Sequence, residues 1–101
     1  MKKDEFKTHV MFRRDNDGTI FALFPYNIAS INEGYVTCYE HIGQHSGANY
    51  DLCINISVPA KENEYQELKS ELESIGYNLN VVKRRNNDRY LAELQNARKR
   101  G

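Results

Sequence analysis

The pattern of hydrophobic positions in the first quarter of the chain predicts two adjacent strands. Residues 8–13 and 19–24 are rich in apolar and aromatic side chains, and residues 15–18 between them are Asp, Asn, Asp and Gly. Asp and Asn tolerate left-handed backbone and Gly supplies positive φ, so this segment is predicted to be a hairpin turn. The second strand is apolar at consecutive positions, which predicts a central place in a sheet. Pro25 cannot donate to a strand ladder and is predicted to end it.

Three more strands are predicted farther along the chain. Residues 26–34 are predicted to be a loop, and residues 35–41 a third strand because they are rich in β-forming side chains. Residues 52–58 alternate between apolar and polar side chains, which predicts a half-buried strand; its apolar positions are Leu52, Ile54, Ile56 and Val58. A fifth strand is predicted over residues 79–83.

Two segments carry the spacing of amphipathic helices. In residues 61–75 the apolar positions recur every three to four residues and form one stripe: Tyr65, Leu68, Leu72 and Ile75. Gly76 fits the left-handed position after the helix, with Tyr77 packing back onto Leu72. Residues 88–100 carry a narrower stripe, with Asp88 as the predicted N-cap; it consists of Tyr90, Leu91, Leu94 and Ala97.

The predicted element order is β-β-β-β-α-β-α. Because the helices are segregated from a mainly antiparallel sheet of about five strands, the order predicts the α+β class, with one long helix packed on one sheet face. Residues 1–85 are predicted to form a single domain, and residues 86–101 a basic helix or tail.

Composition and charge exclude several classes of function. The chain has 101 residues, with 14 Lys and Arg against 14 Asp and Glu, so its formal net charge is zero. Overall electrostatics therefore predict no attraction to nucleic acid or to an anionic membrane. No apolar run approaches the ~18 residues of a membrane span, and the charged N-terminus lacks the apolar segment of a secretion signal. Two cysteines beside an adequate core predict a reduced, cytoplasmic setting.

The segment from Cys38 to Tyr50 has the most unusual composition in the chain. It holds a thiol, a carboxylate, two imidazoles, two glycines and two tyrosines. No helix or strand period explains this mixture, so it is predicted to be a loop that displays binding groups. The main hypothesis is a small binding or regulatory module that contacts a protein partner, or a second copy of the chain, through this loop. Its candidate residues are Glu40, His41, Gln44, His45, Ser46 and Asn49.

A small enzyme or metal-binding protein that uses His41 and His45 is the first alternative. Histidines four residues apart share a face of a helix and make a good metal pair, but the two glycines of this segment argue against a helix. Cys38 or Ser46 with one of the histidines is a possible nucleophile and base. A thiol inside a strand is, however, more often a small core side chain. No catalytic residue, metal or cofactor is therefore predicted.

A nucleic-acid accessory protein is the second alternative. From Lys83 onward the chain carries seven cationic residues against two carboxylates, a net charge of +5, whereas residues 61–75 carry five glutamates against two lysines, a net −3. A basic segment can neutralise phosphates. It is also suited to pair with the acidic helix, in the same molecule or in a second copy. The candidate nucleic-acid residues are Lys83, Arg84, Arg85, Arg98, Lys99 and Arg100.

Three blocks of the sequence carry a family resemblance. They are Asp-Gly-Thr-Ile-Phe-Ala-Leu-Phe-Pro at residues 17–25, Cys-Tyr-Glu-His-Ile-Gly-Gln-His at residues 38–45 and Glu-Leu-Glu-Ser-Ile-Gly-Tyr at residues 71–77. They resemble blocks of a group of small bacterial and mobile-element proteins with no assigned activity. The resemblance covers about residues 10–84, and it implies a cytoplasmic single domain and no catalytic residues.

Overall fold

The part of the chain that the computed structural model describes, residues 7–40 and 44–100, folds into one six-stranded sheet and three helices. In chain order the elements are β1 (Thr8–Asp15), β2 (Ile20–Ser30), β3 (Tyr35–Glu40), β4 (Gln44–Ala48), α1 (Tyr50–Asn55), β5 (Ser57–Pro59), α2 (Glu62–Ser74), β6 (Leu79–Val81) and α3 (Asn87–Arg100). The strand order is β4-β3-β2-β1-β5, and β6 also pairs with β1. Only the β1–β6 pairing is parallel among the described strands. The predicted α+β class is confirmed.

The predicted hairpin forms between β1 and β2, with Met11 opposite Leu23 and Arg13 opposite Phe21. The turn is held by its own side chains. The Asp15 carboxylate accepts the backbone N–H groups of Asp17 and Thr19 at 3.1 and 3.0 Å. Gly18 has φ +89°, a value that glycine adopts without the strain a side chain would bring. The turn therefore forms from local chemistry, as the sequence predicts.

The strand β2 continues past Pro25, so the prediction that proline ends it is wrong. The pairing with β3 passes from Phe24 opposite Thr37 to Ile28 opposite Val36, so that four steps along β2 match one along β3. Pro25 lies in this bulge, where the ladder is interrupted and no N–H donor is required of it. The predicted loop over residues 26–34 is accordingly reduced to residues 31–34.

The predicted strand over residues 52–58 is also wrong. Its first part is the helix α1, and only Ser57–Pro59 forms a strand. The side chain of Asn49 accepts a hydrogen bond from the Leu52 N–H at 3.1 Å and so starts the helix. Most of the predicted apolar face is exposed, because Leu52 is 58% exposed and Val58 47% exposed, and only Ile54 is half-buried. The alternation of apolar and polar residues is misleading here. A helix of six residues has fewer than two turns, so a helical spacing of apolar positions cannot be recognised in it.

The core consists of two hydrophobic clusters on opposite faces of the sheet. Side chains alternate along β1, so Val10 and Phe12 belong to one cluster and Met11 to the other. The helix α2 covers the first cluster, and α1 and α3 pack against the second. The first cluster is Val10, Phe12, Ala22, Phe24, Tyr39, Leu68, Leu72 and Leu79; the second is Met11, Phe21, Leu23, Val36 and Cys38. The predicted central place of β2 is confirmed.

The long helix α2 closely matches its prediction, except at its last apolar position. Leu68 and Leu72 are buried, whereas Ile75 is 54% exposed. Ile75 is the C-cap, and the chain turns away after it at Gly76, which has φ +113°. The Gly76 N–H donates to the Glu73 carbonyl and the Tyr77 N–H to the Leu72 carbonyl, the two bonds of a Schellman motif.

The C-terminal helix α3 packs on the second face of the sheet through Tyr90 and Leu94, while Leu91 stays 51% exposed. The predicted N-cap Asp88 lies inside the first turn instead. The cap is Asn86, whose side chain accepts the Arg89 N–H at 3.0 Å. The predicted fifth strand is confirmed as β6, although it ends at Val81.

Replacing Leu72 by alanine is expected to lower the free energy of unfolding by about 2–5 kcal/mol, because the side chain is fully buried between α2 and the sheet. The matched control is Ile75→Ala in the same helix end, expected to cost less than about 1 kcal/mol because the side chain is exposed. Urea unfolding of both variants provides the measurement. Equal losses for the two would contradict the orientation of α2.

Candidate functional site

The predicted loop between Cys38 and Tyr50 is instead mostly a strand hairpin. β4 pairs antiparallel with β3, with Cys38 opposite Ser46 and Glu40 opposite Gln44. Residues 41–43, which connect the two strands, lie outside the described residues. The composition of β4 (Gln, His, Ser, Gly and Ala) has little intrinsic preference for a strand. Its conformation therefore comes from pairing with β3, which the local sequence does not show.

The six candidate residues of this segment have different environments. Glu40 at the end of β3 and Ser46 in β4 are exposed to solvent. Asn49 is exposed too, but its carboxamide oxygen caps α1 and so has a structural task. His41, and the side chains of Gln44 and His45, lie outside the part of the chain that the structure describes. The described candidates therefore bring two exposed polar side chains, Glu40 and Ser46, to one hairpin.

The strand β4 forms an edge of the sheet. It pairs with β3 on one side, and no other described strand pairs with it on the other. An edge strand presents a row of backbone donors and acceptors, which proteins commonly protect with lysine or proline. Neither residue occurs in β4. Gly47 has a packing task, since a Cβ there would lie 3.3 Å from the Ala29 Cβ.

Both cysteines are free thiols. Cys38 of β3 belongs to the second cluster, and Cys53 of α1 packs against that cluster. Burial raises the pKa of Cys38 to about 12 and also raises the pKa of Cys53. A thiol with a raised pKa is a poor nucleophile at neutral pH, because the thiolate is the reactive form. Within the described residues no three His, Cys, Asp or Glu side chains are grouped as metal ligands. The alternative based on His41 and His45 stays a hypothesis, since His41 lies outside those residues.

A buried arginine holds α1 against the sheet. Arg13 donates from Nε to the Ser57 hydroxyl at 2.9 Å, and from Nη2 to the carbonyls of Ile54 and Ser57 at 3.2 and 2.8 Å. Burial lowers the pKa of Arg13 from its usual value. The Ile54 carbonyl belongs to the C-terminal turn of α1, where a cation is favourable, and the Ser57 carbonyl begins β5. This role is structural, and it was missed because an arginine in a strand gives no sequence signal of burial.

A second cluster of possible functional side chains lies where α3 begins. The Arg85 guanidinium is stacked between the rings of Tyr50 and Tyr90, 3.8 Å from each centroid. The Arg89 guanidinium lies 4.2 Å over the ring of Tyr26. We call these five residues the arginine–tyrosine surface. The sequence did not predict it, because its tyrosines come from three separate elements and Arg89 was not among the basic candidates.

The acidic and basic helices lie on opposite faces of the sheet. α2 carries five glutamates against one lysine, and it covers the first cluster. The basic segment from Lys83 to Arg100 passes over the second face, where Leu94 is buried and Tyr90 half-buried. The two helices therefore do not pair within one molecule, and their charges lie on opposite faces of the sheet.

A cavity of about 500 Å³ opens where β5 and β6 end against β1. Ala60 and Val82 each donate a backbone hydrogen bond to β1, and the chain then leaves toward opposite faces. Phe12 and Tyr65 contribute apolar lining, and Lys83 lies at the cavity. The volume suits a small molecule. Since β5 is at the opposite end of the strand order from β4, the cavity is separate from the hairpin.

Comparisons with protein-family models, with curated proteins and with solved structures find no match to this chain. The family resemblance of the three sequence blocks thus stays a prediction. None of the helices in residues 7–40 and 44–100 has the length and apolar character required to cross a membrane.

Cys38 is expected to resist alkylation in the folded protein, because it is buried and its pKa is raised to about 12. Cys53 is more accessible and acts as the internal control. Iodoacetamide at about pH 8, followed by peptide mass spectrometry, should show modification of Cys53 first and similar rates for both thiols in denaturant. Rapid modification of Cys38 in the folded state would count against a purely structural thiol.

Proposed function

We propose that this protein is a small binding module whose contact surface is the segment 38–50, and that an extended segment of a protein partner adds to the edge of β4. The observation that carries this proposal is the edge position of β4, which lacks both lysine and proline. Strand addition derives affinity from backbone hydrogen bonds and specificity from alternate side chains.

The hairpin that bears this edge has a rigid support. Its inner strand β3 is anchored by Tyr39, 1% exposed, and Val36, 0% exposed, whose side chains enter the two core clusters. The Tyr39 hydroxyl also donates to the Glu71 carboxylate of α2. A binding edge that is held in place loses little conformational entropy when a partner docks.

Side chains of the same segment supply the specificity in this proposal. Glu40 and Ser46 are exposed on the hairpin, and His41, Gln44 and His45 complete the set. A cytoplasmic location belongs to the same proposal, and the two free thiols support it.

The edge of β4 can be tested with peptides of about 12 residues selected on the purified protein from a random display library. Binding is expected to protect backbone amides of residues 44–48 from hydrogen exchange, because these amides gain partners in the added strand. Ser46→Lys places a charge in the edge strand and is expected to weaken binding at least about tenfold.

Ser70→Lys makes the same chemical change at an exposed position of α2 and is the matched control, with an expected change of less than about twofold. If the selected peptides protect α2 or α3 instead, or if Ser46→Lys binds normally, the edge is not the contact surface. A dimer that Ser46→Lys converts to monomer would identify the partner as a second copy.

The side-chain part of the proposal is tested by replacing His41, Gln44 and His45 together with alanine. The proposal treats these side chains as contact groups that the fold does not need. Substitutions of that kind usually alter stability by less than about 0.5 kcal/mol each, so the melting temperature is expected to change little. Binding of the selected peptides should weaken. Global unfolding of this variant, measured by circular dichroism, would show that the three side chains hold the hairpin together.

A further inference from the structure

We propose that the arginine–tyrosine surface binds single-stranded nucleic acid, with guanidinium groups on phosphates and tyrosine rings on bases. This site shares Tyr50 with the segment 38–50 but includes no residue of the edge strand β4, so the proposal does not depend on strand addition. It concerns the residues Tyr26, Tyr50, Arg85, Arg89 and Tyr90.

The two guanidinium groups of this surface, those of Arg85 and Arg89, form no ion pair within the described chain, although Glu33 and Asp51 line the same small pocket as Arg85. The five glutamates of α2 are separated from both arginines by the sheet. Although the net charge of the whole chain is zero, the face covered by α3 carries clustered arginines, and such a cluster attracts phosphates.

The guanidinium groups are already oriented for binding. The planes of Arg85 and Arg89 are stacked on tyrosine rings at 3.8–4.2 Å, and the Arg85 Nε also contacts the Asn87 side-chain oxygen at 3.3 Å. Stacking restricts long side chains that would otherwise lose entropy on binding. The Nη atoms of Arg85 have no hydrogen-bond partner among the described residues, so they are available for a bidentate contact to phosphate.

The tyrosines favour single strands over other polyanions. Tyr26, Tyr50 and Tyr90 are each half-buried, and a guanidinium already covers one face of each ring. A base would therefore contact what is left exposed of each ring together with the arginine stacked on it. Two are held by hydroxyl bonds: Tyr90 donates to the Gly34 carbonyl, and Tyr26 accepts the Asn86 N–H. Fixed aromatic rings beside arginines form the stacking platforms that bind unpaired bases with little sequence preference. An acidic protein offers charge but no bases to stack.

Helix geometry places the three arginines of α3 on two opposite flanks of the helix. Eleven residues separate Arg89 from Arg100, which places them about 16 Å apart and within about 20° on one flank of the helix. Nine residues separate Arg89 from Arg98, a rotation of about 180°, so Arg98 lies on the opposite flank. The proposed footprint therefore includes Arg100 and excludes Arg98.

The test measures fluorescence anisotropy of a labelled oligothymidylate of about twelve nucleotides at about 50 mM salt. An abasic strand of equal length and charge is the comparison. The wild-type chain is expected to bind the oligothymidylate at least about fivefold more tightly than the abasic strand, because only the former offers bases. Arg89→Gln is expected to weaken binding about tenfold and to reduce the salt slope by about 0.7 for the lost phosphate contact.

Arg98→Gln removes the same charge from the opposite flank and is expected to bind within about twofold of wild type. Arg100→Gln, in the same last turn, should weaken binding more than Arg98→Gln. If Arg89→Gln lowers the melting temperature, the comparison of Arg100→Gln with Arg98→Gln still tests which flank of α3 binds. Equal affinity for the abasic strand, equal effects of Arg98→Gln and Arg100→Gln, or no binding at low salt would each overturn the proposal. Equally efficient competition by polyglutamate would overturn it in favour of an acidic protein.

Discussion

Burial of both faces of the central strands β1 and β2 is the interaction on which the other elements depend. Successive side chains such as Met11 and Phe12 point to opposite faces, and both are almost fully buried. A sheet of this kind needs cover on each side. The helix α2 supplies it on one face, and the short α1 together with α3 supplies it on the other.

This two-sided cover separates the charges of the molecule. Because α2 and α3 must lie on different faces, the glutamates of one and the arginines of the other are held apart by the thickness of the sheet. A chain with zero net charge thereby presents an acidic face and a basic face. The separation also brings Tyr26 of β2, Tyr50 of α1 and Tyr90 of α3 together on the basic side, where they meet Arg85 and Arg89.

The same architecture leaves β4 at an edge of the sheet. β1 is occupied by β2 on one side and by β5 and β6 on the other, whereas β4 has only β3. The hairpin that ends in β4 is nevertheless firmly based, since Tyr39 and Cys38 of β3 enter opposite core clusters. Open backbone groups on a fixed support distinguish this edge from an ordinary surface loop.

The sequence by itself determined those features that depend on neighbours along the chain. The β1–β2 turn follows from Asp15 and Gly18, and the end of α2 from Gly76, because these residues meet their hydrogen-bond partners within a few positions. The tertiary structure alone decided the strand state of β4, the bulge that accommodates Pro25, the burial of Arg13 and the assembly of the arginine–tyrosine surface. Each of these depends on partners that are distant in sequence, and a local pattern of side chains carries no record of such partners.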